Sequence, residues 1–213
     1  MKKFLKASAL LLVFLLGAAL VFSGCDKTSS EESIPPDYSN IVLSEHVRLG
    51  EYKGLTVSIG GVVSEDMTDD VVLWETIVDK AEIIKYPEDA LSYYEEQTTR
   101  LYMSYAEEGK MSYDELMTSL GKTGEDIENE AKEYVKSDLV RLAIIEAEAL
   151  HLTDDEKARL FDKYAYKFEV TYGYTTDYVR ENLTDEIYDA MQHDKMMEFL
   201  LLNNEIIHIT EEE

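Results

Sequence analysis

Apolar residues recur at the three- and four-residue spacing of an α-helix over most of the chain after Thr68. The clearest example follows Pro87, a residue type favoured in the first turn of a helix, and continues to Gly109. One face of this segment carries Leu91, Tyr94, Thr98, Leu101 and Tyr105. The pattern predicts a long amphipathic helix.

A second long helix is predicted between Thr123 and Leu150. Its apolar stripe consists of Ile127, Ala131, Val135, Leu139 and Leu142, with Tyr134, Ile144 and Ile145 beside it. Shorter periodic segments predict helices near residues 71–81, 153–168 and 184–203. The stretch "VTYGYTTD" is interpreted as an interruption between the last two.

Several helix starts have the sequence of a capping box, in which a Ser or Thr side chain and an acidic residue three positions later cap each other's backbone. The pairs are Ser112 with Glu115, Thr153 with Glu156 and, as a weaker variant, Thr123 with Asp126. Because the connections are short, neighbouring helices should run antiparallel. The predicted fold class is mainly α, with elongated antiparallel helical hairpins or arms and short flanking strands.

Extended segments are predicted at both ends of the helical part. Residues 55–59 alternate between apolar and polar side chains, "EIIKY" follows the first helix, and "EIIHIT" lies near the C-terminus. The predicted organisation is a strand-containing leader at residues 39–66, a helical domain at 67–207 and an acidic tail at 208–213.

The N-terminal 24 residues have the pattern of an export signal, with a lysine-rich start, an apolar stretch and small residues before Cys25. This resembles the lipobox of bacterial lipoproteins, which implies cleavage before Cys25 and lipidation of its thiol. An uncleaved membrane helix is the alternative, since residues 7–24 are uncharged. Residues 25–38 are polar and contain two prolines, so we expect a disordered, lipidated tether. The expected location is the extracytoplasmic face of a bacterial cell membrane.

The formal net charge of −25 excludes nucleic acid as an expected partner, because binding to phosphates needs clustered Lys and Arg. Cys25 is the single cysteine, so neither a disulfide within the chain nor a multi-thiolate metal site can form. The four histidines include no H-E-x-x-H pattern, and neither a G-x-S-x-G nor a phosphate-binding G-x-x-x-x-G-K-[ST] motif occurs. We therefore expect no enzyme activity, no catalytic residues, no metal and no cofactor.

Several blocks of the chain, in this order, resemble the trigger factor chaperones. They are "LGEYKGLTV", "YPEDAL", "YAEEGKMSYDELMTSLGKT" with the helix that follows it, and "DKMMEFLLLNNEI". The resemblance spans residues 47–207 and implies the C-terminal, substrate-binding domain of that family. The family's ribosome-binding loop, G-F-R-x-G-x-x-P, is absent. Only about thirty residues separate Gly54 from Pro87, too few for its FKBP-type isomerase domain, so neither ribosome binding nor isomerase activity carries over.

The resulting hypothesis is a membrane-anchored holdase that binds unfolded or newly exported polypeptides without ATP. Half-exposed side chains on the inner faces of two helical arms would contact the client, and the candidates are Tyr94, Leu101, Tyr105, Ile127 and Tyr134. The alternative is a structural or assembly lipoprotein that docks one fixed partner, because apolar stripes at helical spacing also build ordinary cores. A prolyl isomerase is the third and least favoured function.

Overall fold

The computed structural model describes residues 35–60 and 68–209, and this part of the chain is mainly helical. Eight α-helices and four short β-strands occur among the described residues. The predicted mainly α fold class is therefore confirmed. The predicted signal segment, Cys25 and residues 26–34 of the tether lie outside the described residues.

The elements follow one another along the chain after a short 3-10 turn at Tyr38–Asn40. The helices are α1 Leu43–His46, α2 Asp69–Lys80, α3 Glu88–Glu108, α4 Tyr113–Leu120, α5 Gly124–Ala147, α6 Asp154–Tyr172, α7 Thr176–Asn182 and α8 Thr184–Leu202. The strands are β1 Val47–Arg48, β2 Thr56–Gly60, β3 Glu82–Ile83 and β4 Glu205–Ile209.

Helix α4 and helix α6 begin at the capping boxes that the sequence predicts. The Ser112 hydroxyl accepts the Glu115 N–H at 3.3 Å, and the Glu115 carboxylate accepts the Ser112 N–H at 2.8 Å. Thr153 and Glu156 make the same exchange at the start of α6. At α5 the Asp126 carboxylate accepts the Thr123 N–H at 2.7 Å. These caps place the helix starts independently of tertiary packing.

The segment after residue 168 differs from its prediction. Helix α6 continues to Tyr172 and ends at Gly173, whose φ of +72° is readily adopted by glycine. A further helix, α7, then begins where the Thr175 hydroxyl accepts the N–H of Tyr178. Because Val179 of α7 is fully buried, packing against neighbouring helices stabilises a helix too short to form by itself.

The four strands form two small two-stranded sheets. β1 pairs antiparallel with β3, while β2 pairs in parallel with β4. Val57 and Ile59 of β2 are buried and their neighbours are exposed, which confirms the predicted alternation. β4 confirms the predicted C-terminal strand and runs through Ile209, so it extends into residues that were expected to be acidic tail.

Three separate groups of buried side chains hold the fold together. The largest, which we call the central body, joins β1, β2, α2 and the start of α3 to the C-terminal halves of α5 and α8. A second group consists of Tyr102, Met117 and Ile127, from α3, α4 and α5. We call α4, with the second half of α3 and the first half of α5, arm 1. The third group contains Tyr164, Ala165, Val179, Leu183, Ile187 and Met191. It lies between α6, α7 and the first half of α8, which we call arm 2.

Helices α3 and α5 lie antiparallel, as their short connection through α4 predicts. The hydroxyl of Tyr94 donates to Asp138 at 2.6 Å, and the hydroxyl of Tyr102, two turns further along α3, donates to Glu130 at 3.1 Å. Residue numbers thus rise along one helix as they fall along the other. The pair extends from the central body to the end of arm 1.

The backbone at the end of α5 is strained at Ala149, and a substitution there can measure the strain. Ala149 has a φ of +50°, while the Leu150 N–H donates to the Ile145 carbonyl at 2.9 Å in a Schellman turn. A side chain in this left-handed region costs about 1–2 kcal/mol. We expect Ala149→Gly to raise the free energy of unfolding by about 0.5–1 kcal/mol, since the added freedom of the unfolded chain offsets part of the relief. Urea unfolding followed by circular dichroism measures it.

The control for this prediction is the same substitution at a helical position. Ala158 is exposed within α6, where Ala→Gly should lower the free energy of unfolding by about 1 kcal/mol. Opposite signs at the two positions are expected. A loss of stability in both variants would contradict the assignment of strain to Ala149.

Candidate functional site

The five predicted contact residues lie on α3 and α5, but most of their surface is used within the fold. Ile127 and Tyr134 are only 5% and 7% exposed, so the half-exposure expected for them is not found. The Tyr94 ring stacks on that of Tyr134, with 5.4 Å between ring centroids. Leu101 is half-buried, and only Tyr105 among the five is exposed. The inner faces of α3 and α5 therefore contact each other.

A largely buried polar network joins this helix pair to Tyr38, which was predicted to be the last residue of the disordered tether but lies in the ordered 3-10 turn. Asp138 of α5 accepts hydrogen bonds from the Tyr94 hydroxyl at 2.6 Å and the Tyr38 hydroxyl at 3.1 Å. Arg141 lies 3.7 Å from Asp138 and forms an ion pair with Asp189 of α8. One carboxylate thus connects the 3-10 turn with α3 and α5, and Arg141 extends the connection to α8.

Burial sets the protonation of this network. It raises the pKa of the Asp138 carboxyl, and the Arg141 guanidinium and the two tyrosine hydroxyls oppose that shift. Burial together with the neighbouring Asp138 charge also raises the pKa of Tyr94 and Tyr38. The two hydroxyls therefore keep their protons at neutral pH and act as hydrogen-bond donors. These hydrogen bonds suit a structural role, which is to hold the 3-10 turn, α3 and α5 together, better than they suit proton transfer.

His193 of α8 is a further, partly buried titratable group near the network. Burial lowers its pKa, and the Arg141 charge acts in the same direction. Among the described residues its Nδ1 has no hydrogen-bond partner. The imidazole is therefore neutral at physiological pH and packs as part of the interior.

A continuous aromatic surface lies at the end of arm 2 instead. Four rings from α6, α7 and the turn between them are in contact in sequence, with centroid separations of 5.6, 5.9 and 5.0 Å. We call this row of side chains the aromatic ladder, and its members are Phe168, Tyr172, Tyr174 and Tyr178. Tyr174 and Tyr178 are stacked at an interplanar angle of 27°. Phe168, Tyr172 and Tyr174 are half-buried, and Phe168 and Tyr174 pack against the buried group of arm 2, whereas Tyr178 is 45% exposed.

Two further large side chains are exposed at this end of α6, on the face opposite Phe168 and Tyr172. Tyr166 and Val170 are one helical turn apart and are 65% and 66% exposed. Polar contacts beside them hold the two helices together: the Thr176 hydroxyl donates to Glu169, and Arg180 pairs with Asp162. Aromatic rings with polar tips suit reversible contact with apolar groups in water.

Arm 1 also exposes apolar side chains. Tyr105 and Met103 of α3, Met111 of the following turn and Leu120 at the end of α4 are exposed. Tyr105 also contacts the Tyr102 ring edge-on, at a centroid distance of 6.2 Å. Of the predicted set, Tyr105 is therefore the residue that remains available for an external contact.

The arm 2 surface was not among the predicted contact residues. The sequence shows the tyrosines, but "VTYGYTTD" contains Gly and three Thr residues and was interpreted as an interruption. The available signal was the continued helical spacing of Tyr164, Phe168 and Tyr172 on one face, with Tyr178 four residues after Tyr174. Only the position of α7 shows that these rings meet.

Among residues 35–60 and 68–209, no group of His, Cys, Asp and Glu side chains is arranged to hold a metal ion. In the same part of the chain, no helix is both long enough and apolar enough to cross a bilayer.

The chain matches no protein-family model, no curated protein and no solved structure. The resemblance to trigger factors stays a prediction from the sequence blocks alone.

Proposed function

We propose that this protein is a membrane-anchored, extracytoplasmic bacterial holdase that binds unfolded or newly exported polypeptides without ATP. The observation that carries the proposal is the set of large side chains at the end of arm 2 that are not sealed in its core. Tyr178 and the half-buried rings of the ladder lie on one face, and the exposed Tyr166 and Val170 lie on the opposite face of α6. Exposed large apolar side chains that lie close together commonly mark contact with another molecule. Tyr105, Met111 and Leu120 would give arm 1 a second contact surface.

The energetics suit weak and reversible binding. Burying one apolar side chain of a client contributes about 1.5–3 kcal/mol. Immobilising it removes about 0.5–1.5 kcal/mol, and the loss of translational and rotational freedom opposes binding further. A few such contacts hold a client only transiently, so release needs no nucleotide. The excess of acidic residues keeps the loaded complex soluble.

Lipidation of Cys25 would anchor the protein while the polar segment that follows leaves the folded part outside the bilayer. Tyr38 is the first residue of that part to bond across the fold, through its hydroxyl to Asp138. The tether between Cys25 and Tyr38 spans roughly 20 Å as a flexible chain. Such a tether would hold the arms close to the membrane, where exported polypeptides emerge.

The test is suppression of aggregation by a soluble fragment of residues 26–213. We expect the fragment to slow light scattering by an unrelated reduced protein, and the double variant Tyr166→Ser, Val170→Ser to lose at least half of that effect. Both positions are exposed, so the free energy of unfolding should change by less than about 0.5 kcal/mol each. Light scattering at equal molar ratios, with circular dichroism of each variant, checks both expectations.

The matched control removes exposed apolar side chains away from the arms. Val42 precedes α1 and Leu202 ends α8, and both are exposed. The variant Val42→Ser, Leu202→Ser should retain full suppression. Equal loss in both double variants would show that general surface apolarity, and not arm 2, is responsible. No suppression by the unmodified fragment would overturn the proposal.

The second candidate is a structural lipoprotein that docks one fixed partner. The close packing of α3 on α5, with Tyr94 stacked on Tyr134, favours this alternative. The inner helical faces that were predicted to bind a client are covered by the protein itself. Affinity capture from cells distinguishes the two. A holdase should retain many polypeptides at low occupancy, whereas a docking protein should retain one partner at a fixed ratio.

A further inference from the structure

The methionines of the described residues fall into two classes. Four are buried, and they are Met117, Met191, Met196 and Met197. The other two, Met103 and Met111, are 47% and 40% exposed and both belong to arm 1. Oxidation of a thioether follows its exposure to solvent. A dissolved oxidant would therefore reach these two sulfur atoms first.

Met111 has a structural position that Met103 does not have. It is the second residue after the C-cap of α3, and its N–H donates to the Ala106 carbonyl at 2.9 Å. The Lys110 N–H donates to the Glu107 carbonyl at 3.0 Å, which completes a Schellman turn. In this motif an apolar side chain at the position of Met111 packs back on the last turn of the helix.

The side chain of Met111 makes that contact. A Cβ placed on Gly109 would lie 3.1 Å from Cε of Met111 and 3.2 Å from the Tyr105 carbonyl oxygen. The methyl group thus covers the glycine at the end of α3, one turn beyond exposed Tyr105. Lys110 has a φ of +53°, a conformation that side chains rarely adopt. The Met111 contact helps to hold this strained turn.

Met103 is the natural comparison. It lies in the interior of α3, on an outward face shared with Thr99 and Glu96. Its backbone is held by the regular hydrogen bonds of the helix. A change of polarity at Met103 therefore leaves the end of α3 in place.

We propose that Met111 is an oxidation-sensitive modification site, at which sulfoxide formation weakens polypeptide binding by arm 1. The inference rests on the proposed function. One oxygen atom passes from hydrogen peroxide to Sδ of Met111: the O–O bond breaks, an S–O bond forms, sulfur loses two electrons and water is released. The product is polar and chiral. It no longer packs on Gly109, and it removes an apolar contact beside Tyr105.

The test uses the full, lipidated chain in phosphatidylcholine vesicles, with fluorescent reduced, carboxymethylated lactalbumin as the unfolded probe. Limited hydrogen peroxide should oxidise Met103 and Met111 before the four buried methionines, as measured by peptide mass spectrometry. The affinity of the native protein for the probe should fall about three- to tenfold, as expected for the loss of roughly one apolar contact. Methionine sulfoxide reductase should restore it.

Two leucine variants separate the exposed sites. Met111→Leu keeps an apolar side chain without an oxidisable sulfur and should retain its affinity after peroxide treatment. Met103→Leu should lose affinity as the native protein does. Met111→Gln, without peroxide, should reproduce the weakened binding. Equal loss of affinity in Met111→Leu and the native protein would overturn the proposal, as would oxidation of Met111 no faster than the buried methionines.

Hydrogen exchange provides a result that does not depend on polypeptide binding. Oxidation should increase exchange of the Met111 amide, which the Schellman turn protects, in the native protein and in Met103→Leu. If the untreated protein fails to bind the probe, the proposed function fails, and this exchange rate still decides whether Met111 acts as a switch for the turn. Unchanged exchange after complete oxidation of Met111 would overturn the inference.

Discussion

Leu139→Ala is expected to lower the free energy of unfolding by about 2–5 kcal/mol, among the largest effects of a single substitution in this chain. Leu139 is fully buried in α5 and belongs to the central body, which also has members from β1, α2 and α8. Removing its branched side chain loses apolar contacts and leaves a cavity. Because folded proteins are stable by only about 5–15 kcal/mol, this loss is a large fraction of the total. Urea unfolding followed by circular dichroism measures it.

The control is the same substitution at the exposed end of α8. Leu202 is 80% exposed, and Leu202→Ala should change the free energy of unfolding by less than about 0.5 kcal/mol. If the two variants were equally stable, Leu139 could not lie in a packed core. The arrangement of α5 across the central body would then be wrong.

The second large effect is expected for Asp138→Ala, which should lower the free energy of unfolding by about 2–4 kcal/mol. The substitution leaves the Tyr38 and Tyr94 hydroxyls without their shared acceptor and removes one of the two carboxylates near Arg141. Buried donors without an acceptor cost free energy. The same unfolding measurement, together with loss of the tyrosine signal in near-ultraviolet circular dichroism, tests the role of the network.

Asp138→Asn separates the contribution of the hydrogen bonds to stability from that of the carboxylate charge. The amide oxygen can still accept from Tyr94, so the loss should be smaller than for Asp138→Ala. Asp79→Ala removes a carboxylate from the exposed face of α2 and should change stability by less than about 0.5 kcal/mol. A network without structural importance would give the same small change in all three variants.

Helix positions were predictable because each rests on local rules. The capping boxes at Ser112 and Thr153 use side chains only three residues apart, and the stripe from Ile127 to Leu139 repeats with the helical period. β2 was equally predictable, because its apolar and polar residues alternate. The parallel pairing of β2 with β4 was not, because no local signal connects strands so far apart in sequence.

The candidate site was harder to predict because exposure is a property of tertiary packing. Tyr134 and Tyr105 are both aromatic residues on predicted helices, yet Tyr134 stacks on Tyr94 and is buried whereas Tyr105 is exposed near the end of α3. Helical periodicity identifies an apolar face but not how much of it a neighbouring helix covers. The aromatic ladder of arm 2 depends further on α7, a short helix whose buried Val179 positions Tyr178.

The pairing of β2 with β4 also determines when the protein can finish folding. Thr56 and Glu205, opposite each other in the sheet, are 149 residues apart. During synthesis β2 is made early, and it cannot pair until the ribosome has made all the helices that precede β4. Contacts between such distant segments form slowly. In a product terminated before β4, β2 lacks the strand that it pairs with. We expect such an incomplete chain to be cleaved by proteases more readily than the full chain.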